Sequence, residues 1–226
     1  MENVIAAVGI WNRDLYEHYS SRLPGQWFFV ENPAELDELL KSGISPRYIF
    51  FPHWRWVVPK ALTDRYECVC FHMTDVPYGR GGSPLQNLIV RGHKDTRLTA
   101  LQMDEGMDTG PVYFKRPLNL CGSANEIYIR AAELSWSMIE EIIETQPKPI
   151  PQRGEVIEFT RRTPAQNYIP DGLKIAQVFD YIRMLDAPGY PRAFLEAGDY
   201  HIEFENAVLE DGFLNACVKV RLRNSE

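Results

Sequence analysis

The stretch Cys70-Phe-His-Met-Thr-Asp-Val-Pro-Tyr-Gly-Arg-Gly-Gly-Ser-Pro-Leu-Gln-Asn87 decides the fold. It continues an apolar run over 67–71 that predicts a strand, and His72 stands where that strand ends. Three glycines between positions 79 and 82 predict a turn whose backbone can come close to a bound molecule. Ser83 and Pro84 then predict the first turn of a helix. A strand, a glycine-rich turn and a helix start form the unit at which α/β sheets bind ligands.

Strands and helices alternate on either side of this stretch. Short apolar runs predict strands, and the amphipathic segments between them predict helices. The predicted strands cover 4–10, 27–30, 48–51, 67–71 and 98–103, and the predicted helices cover 14–23, 34–41 and 123–145. Ser123 and Glu126 stand in capping-box positions at the start of the longest helix. This alternation predicts an α/β, Rossmann-like, mostly parallel sheet with helices on both faces.

A proline-rich segment divides the chain near residue 150. Residues 146–154 carry three prolines and a glycine, which cannot continue the preceding helix. Beyond it, the pattern predicts a helix over 175–185 and a β-hairpin of strands 200–208 and 213–222. We therefore predict a catalytic core over 1–150 and a small C-terminal extension over 151–226. Because an isolated hairpin is marginal in water, we expect the extension to complete a sheet edge or to form the surface of a homodimer.

The composition narrows the class of partner. The chain has 226 residues, a formal net charge of −7 and a pI near 5.3, and this balance argues against a surface that binds phosphates through clustered Lys and Arg. No run approaches the ~20 apolar residues of a membrane helix. The four cysteines form no CxxC pair, which favours free thiols and no metal. We expect a cytoplasmic protein that binds neither nucleic acid nor membrane.

Two segments carry residues suited to chemistry. The first places His72 at a strand end before the glycine-rich turn, and the second, over 101–113, places Asp104, Glu105 and Asp108 among glycines directly after a strand. Each has an ordinary structural interpretation. A core histidine beside a tight turn explains the first, and a solvated loop of turn-forming residues explains the second.

Taken together, the two segments resemble the formyltransferases that use formyl-tetrahydrofolate. That family carries Asn-x-His, then Ser-Leu-Leu-Pro, then a Gly-Arg-rich loop that ends in Ala-Pro-Leu, and later Asp-x-Gly. In this chain the same frame reads His72, then Thr74 to Pro77, Arg80 to Leu85, and Asp108 to Gly110, with Cys70 where the family has asparagine. The resemblance implies N10-formyltetrahydrofolate as co-substrate and no metal.

The resemblance also implies a role for each residue of the site. His72 would take the proton of the attacking amine or stabilise the oxyanion, and Asp108 would orient the imidazole. Cys70 stands where the family's amide holds the formyl oxygen. The residues implied to bind the folate are Phe51, Trp54, Val57, Gly81, Gly82, Met103, Asp104, Glu105, Gly106 and Asp108. Those implied to contact the acceptor are Thr74, Tyr78 and Arg80.

The acceptor is expected to be the amine of an amino sugar. Residues 159–164 and 178–194 resemble the tail of the short family members that formylate amino sugars for surface glycans. The sugar would be nucleotide-linked or a nonulosonic acid such as pseudaminic acid. The acidic balance and the length disfavour a methionyl-tRNA-type relative, which remains an alternative. A catalytically impaired module that binds folate or sugar is the other alternative, because a Cys70 thiol is a poor hydrogen-bond donor beside an amide.

Overall fold

The computed structural model describes residues 1–223, which form two compact units. The first comprises Met1–Gly81, Thr96–Leu118 and Ile129–Glu158. The second comprises Gly82–Asp95, Asn119–Tyr128 and the chain from Phe159 onward. The predicted division into 1–150 and 151–226 stays a prediction.

A six-stranded sheet with the strand order β2-β1-β3-β4-β6-β7 forms the centre of the first unit. The strands are β1 (Glu2–Ala7), β2 (Gln26–Val30), β3 (Tyr48–His53), β4 (Glu67–His72), β6 (Asp95–Gln102) and β7 (Val112–Asn119). The pairs β1–β2, β1–β3 and β3–β4 are parallel, whereas β4–β6 is antiparallel. The helices of this part of the chain are α1 (Ile10–Ser20), α2 (Pro33–Lys41), α3 (Lys60–Thr63) and α5 (Ala124–Thr145).

The central strands β1 and β3 carry continuous apolar runs, as expected where both faces of a sheet are covered. Val4 to Ala7 of β1 and Tyr48 to Phe51 of β3 are almost fully buried, and helices account for this in parallel sheets. The first turn of α2 is fixed by its sequence: the Asn32 side chain accepts a hydrogen bond from the N–H of Glu35, and Pro33 occupies the first helical position. This packing fixes the carboxyl ends of β3 and β4.

The second unit contains two short helices and an antiparallel sheet. The helices are α4 (Pro84–Val90) and α6 (Ile175–Arg183), and the strands are β9 (Ala193–Ala197), β10 (Tyr200–Glu210) and β11 (Phe213–Leu222) in the order β11-β10-β9. Asp211 and Gly212 both have positive φ, as a two-residue hairpin turn requires. The predicted fold class, a mostly parallel α/β sheet with helices and a C-terminal hairpin, is confirmed.

Several boundaries differ from the predicted ones for identifiable reasons. The first strand ends at Ala7, not at Ile10, because Gly9 takes φ of 96° and α1 begins at the next residue. The sequence pattern also missed β5 (Tyr78–Gly81), which pairs with β8 (Ile157–Phe159). These strands have only four and three residues, which is too short for a two-residue alternation to identify a strand.

Candidate active site

His72 ends β4 as a buried side chain with an oxygen atom facing each ring nitrogen. Nε2 lies 2.7 Å from the carbonyl oxygen of Gly79, and Nδ1 lies 3.5 Å from Oδ2 of Asp108. Because a carbonyl oxygen only accepts, Nε2 carries the ring proton, and in the neutral ring Nδ1 has the free lone pair. Thr74 donates its hydroxyl to the same Gly79 oxygen at 3.2 Å. The ring is therefore held with its basic nitrogen towards Asp108.

Asp108 occupies a tight turn, and its carboxylate ties this turn to the glycine-rich segment at Gly81. Its φ is 56°, in the left-handed region, and Oδ2 accepts the N–H of Gly81 at 2.9 Å. Two residues later, a Cβ on Gly110 would lie 1.8 Å from the carbonyl oxygen of Gln102, so only glycine fits there. The Asp-x-Gly spacing follows from this geometry: the acid needs a turn, and the turn needs a residue without a side chain.

Gln152 contacts both sides of this turn, although the sequence placed it in a linker. Its Oε1 accepts from Arg80 at 3.2 Å from Nε and 2.9 Å from Nη2. Its Nε2 donates to the carbonyl oxygens of Asp108 and Gly110, each at 2.8 Å. Proline-rich composition predicts a break in the helix but says nothing about where the side chains point, so no sequence signal could have found this contact.

Cys70 lies on the same strand as His72, two residues earlier and on the same face. Burial raises the pKa of its thiol well above the usual range, and the nearby Asp108 carboxylate raises it further. The thiol therefore stays protonated at neutral pH, as a weak S–H donor and not a thiolate nucleophile. This state fits a group that contacts a polarised oxygen better than one that attacks carbon.

An aromatic wall follows β3. Trp54 contacts Phe51 edge-on at 5.6 Å between ring centroids and Trp56 at 4.8 Å. Trp56 is 43% exposed and Val57 is 83% exposed, whereas Phe51 belongs to the buried core. The exposed surface of the wall is thus made by residues 54–57, with Phe51 behind them.

The other predicted site residues lie in two loops, the acidic loop over 103–108 and the glycine-rich turn over 79–82. Met103 packs partly buried against the core, and Asp104 accepts hydrogen bonds from the N–H of Gly106 and the hydroxyl of Thr109. Glu105 is exposed and pairs with Lys60 at 2.8 Å. Tyr78, Arg80 and Gly81 lie on β5, and all three are partly buried.

Gly82 differs from its neighbours because it begins the second unit. A Cβ at this position would lie 2.5 Å from the Cβ of Arg161, so the glycine is required by chain packing. Its predicted part in folate binding stays a prediction.

The described residues contain neither a cluster of metal-binding side chains nor a membrane-spanning helix. Within residues 1–223, no group of three or more His, Cys, Asp and Glu side chains could hold a metal ion. No helix in that range is long and apolar enough to cross a membrane.

The chain is similar over nearly its full length to a solved structure, the methionyl-tRNA formyltransferase from Clostridium thermocellum. The sequences are 42% identical, the TM-score is 0.95, and the match covers 98% of this chain and 99% of the other. This chain belongs to the formyltransferase family. The family model described as "Methionyl-tRNA formyltransferase, C-terminal domain" matches residues 164–221 of this chain. The family predicted from the motifs at 70–85 and 108–110 is confirmed.

Other relatives are longer or more distant. Methionyl-tRNA formyltransferases from Gluconobacter oxydans and Aromatoleum aromaticum are 33% and 30% identical over 47% and 73% of this chain. This chain spans only 36% and 52% of their lengths. HypX from Aquifex aeolicus in complex with tetrahydrofolic acid is 17% identical with a TM-score of 0.74 over 92% of this chain and 38% of HypX, which shows the shared fold alone.

The expected amino-sugar acceptor is wrong. The similar chains at 30% identity and above are methionyl-tRNA formyltransferases, whereas a likely sugar N-formyltransferase from Mycobacterium tuberculosis is only 17% identical, at a TM-score of 0.69 over 87% of this chain and 92% of that one. The tail that suggested a sugar enzyme overlaps the region matched by the methionyl-tRNA formyltransferase model. Nucleotide-linked sugars and pseudaminic acid are therefore set aside.

The expectation that no nucleic acid binds is wrong for the same reason. It rested on the net charge of −7, which sums charges over the whole chain. A summed charge does not describe the surface beside a site, where a few cations suffice to contact phosphates.

Proposed function

We propose that this chain transfers the formyl group of N10-formyltetrahydrofolate to the α-amine of methionyl-tRNA. The observation that carries the proposal is the His72–Asp108 pair at the end of β4, fixed by Gly79 and Gly81 in a chain 42% identical to a methionyl-tRNA formyltransferase. N10-formyltetrahydrofolate, the co-substrate of formyltransferases, supplies the carbon.

His72 is the proposed base. A neutral amine attacks the formyl carbon, a new C–N bond forms, and Nδ1 of His72 accepts the proton that the amine nitrogen must lose. Asp108, 3.5 Å away, then accepts a hydrogen bond from Nδ1–H and stabilises the charged ring. As the bond from the formyl carbon to N10 breaks, His72 returns the proton to N10. The neutral amine loses one proton and N10 gains one, so the net charge of the site is the same before and after the transfer.

Cys70 is the proposed donor to the formyl oxygen. It occupies the position of the family's asparagine, and its S–H faces the same side of β4 as His72. Negative charge grows on that oxygen during attack, and loss of one good donor at such a position costs about 10²–10³ in rate elsewhere. We therefore expect slower turnover than an amide at position 70 would give.

The wall at residues 54–57 is the proposed folate contact. A pterin ring is flat, with apolar faces and a polar edge, and Trp54, Trp56 and Val57 offer apolar surface at the carboxyl end of β3. The acidic loop over 103–108 contacts Lys60 through Glu105 and His72 through Asp108, and its backbone groups would pair with the polar rim. The residues present therefore fit the co-substrate.

Arg80 is the proposed contact to the tRNA. Its guanidinium is oriented by Gln152 beside the Asp108 turn, and a planar cation of this kind suits a phosphate of the acceptor end. Thr74 supports the loop through Gly79, and Tyr78 stands at the start of the same strand.

The test is transfer of a radiolabelled formyl group to methionyl-tRNA. We expect labelled N-formylmethionine after alkaline release from the tRNA, with matching release of tetrahydrofolate. N-acetylmethionyl-tRNA, uncharged tRNA and free methionine serve as acceptors that lack the amine, the amino acid or the nucleic acid. Folate binding without transfer to any acceptor would instead make the chain a binding module, with Cys70 as the reason.

A further inference from the structure

Both polar atoms of the Gln152 amide form hydrogen bonds beside the site, two at the oxygen and two at the nitrogen. Its oxygen accepts two N–H groups of Arg80, and its nitrogen donates to the carbonyl oxygens of Asp108 and Gly110. These four contacts are all 3.2 Å or shorter, and all four residues belong to the first unit.

The orientation of the Gln152 amide follows from its partners. A guanidinium only donates and a backbone carbonyl only accepts, so the amide oxygen must face Arg80 and the amide nitrogen must face the turn. Neither a carboxylate nor an ammonium can serve both sides. Glutamine is the side chain of this length that can.

The turn that Gln152 holds is the one that aims Asp108. Asp108 has a φ of 56°, a conformation that is unfavourable for residues other than glycine and persists when neighbours enforce it. The two bonds from Gln152 fasten the carbonyls on either side of Thr109, while the Asp108 carboxylate reaches Gly81 and His72. Release of the carbonyls would let the carboxylate move away from the imidazole.

We propose that Gln152 is a positioning residue that couples the Asp108–His72 pair to Arg80. The proposal rests on the proposed formyl transfer. It assigns Gln152 no contact with the reacting atoms: it fixes the acid at one end and the cation that meets the acceptor at the other. The His72 base is thereby fixed relative to the acceptor bound at Arg80.

The substitution Gln152→Glu tests the contacts with the Asp108 turn separately from the contact with Arg80. The carboxylate keeps the pairing with Arg80 but places oxygens against the carbonyls of Asp108 and Gly110 and loses both donors. We expect kcat to fall about tenfold to a hundredfold, as for displacement of a catalytic group by about 1 Å, with the KM for folate changed by less than about threefold. Gln26→Glu, at an exposed position in β2, is the matched control and should leave both constants as in the wild type.

A double-mutant cycle distinguishes positioning from general damage. If Gln152 acts through Asp108, Gln152→Glu should cost less than about threefold in kcat when Asp108→Asn is already present. If Gln152→Glu lowered kcat by the same factor in both backgrounds, Gln152 would support the folded structure without acting through Asp108. That result would overturn the proposal.

Amide exchange at Gly81 gives a readout that needs no activity. The Gly81 N–H donates to Asp108, so its exchange should accelerate at least about tenfold in Gln152→Glu and remain unchanged in Gln26→Glu. Unchanged exchange at Gly81 would overturn the inference even if formyl transfer is confirmed. Accelerated exchange in a protein that formylates no acceptor would instead overturn the proposed function and leave the coupling of Gln152 to Asp108 in place.

Discussion

The two sides of the candidate site are built differently. The fixed side, defined here as His72, Gly81, Asp108, Gly110 and Gln152, is a network of hydrogen bonds between buried or half-buried groups. The open side, defined as Trp54, Trp56, Val57, Lys60 and Glu105, is exposed apolar surface with one ion pair across its edge. Proton transfer requires fixed distances, whereas contact with a flat ring tolerates adjustment. We therefore predict that substitutions on the fixed side have large effects on kcat, whereas substitutions on the open side have small effects on KM.

His72→Ala should have the largest effect. Loss of the base should lower kcat by about 10²–10⁴, with the folate dissociation constant within about threefold of the wild type. Single-turnover formyl transfer and equilibrium folate binding measure the two quantities separately. His18→Ala, at an exposed position in α1, is the control. A loss of folate affinity as large as the loss of rate would show that the fixed side also binds the co-substrate.

Gly110→Ala tests whether the fixed side depends on the tight turn. A methyl group there meets the Gln102 carbonyl at 1.8 Å, so the turn must shift, and we expect unfolding free energy to fall by roughly 2–4 kcal/mol together with kcat. Gly43→Ala is the control, because it adds a methyl at positive φ in open space and should cost only about 1–2 kcal/mol. Urea unfolding measures both. Equal costs at the two positions would contradict the steric argument.

The fixed side was partly predictable from sequence, for a physical reason. His72, Asp108 and Gly110 belong to motifs whose spacing follows from a strand end and a tight turn, and both are local. Gln152 reaches the site across a long stretch of chain, with Arg80 72 residues away, and its environment of prolines carries no periodicity. The parallel strands were predictable from their apolar runs. The antiparallel pairing of β4 with β6 was not, because direction depends on the path of the chain between them.

The identity of the acceptor could not be predicted from the sequence motifs, for a different reason. The net charge of −7 predicted no nucleic-acid partner, although net charge is a property of the whole chain and recognition depends on a few residues beside the site. The motif at 70–85 identifies the one-carbon chemistry. It contains no information about what carries the amine, since any neutral amine meets the same base.

Cys70→Asn should raise the rate of formyl transfer. The amide supplies N–H donors where the thiol supplies a weak S–H, so we expect kcat to rise about tenfold or more if the oxyanion is held there. Cys70→Ala separates donation from volume: it should be slower than wild type if the S–H contributes. Rapid-quench measurement of formyl transfer is the assay. A Cys70→Asn variant no faster than wild type would mean that another group holds the formyl oxygen.

Lys60→Ala should have the smallest effect, because it removes only exposed ion pairs at the edge of the open side. Lys60 pairs with both Glu105 and Asp64 at 2.8 Å, and all three side chains are more than half exposed, so solvent and salt screen the attraction. We expect kcat as in the wild type and a folate KM changed by less than about twofold, with any change disappearing at high salt. Lys41→Ala removes a comparable exposed pair, to Asp37 in α2, and should affect neither constant. A fall in kcat for Lys60→Ala that persists at high salt would show that the acidic loop needs this anchor to hold Asp108, and the open and fixed sides would then be one mechanical unit.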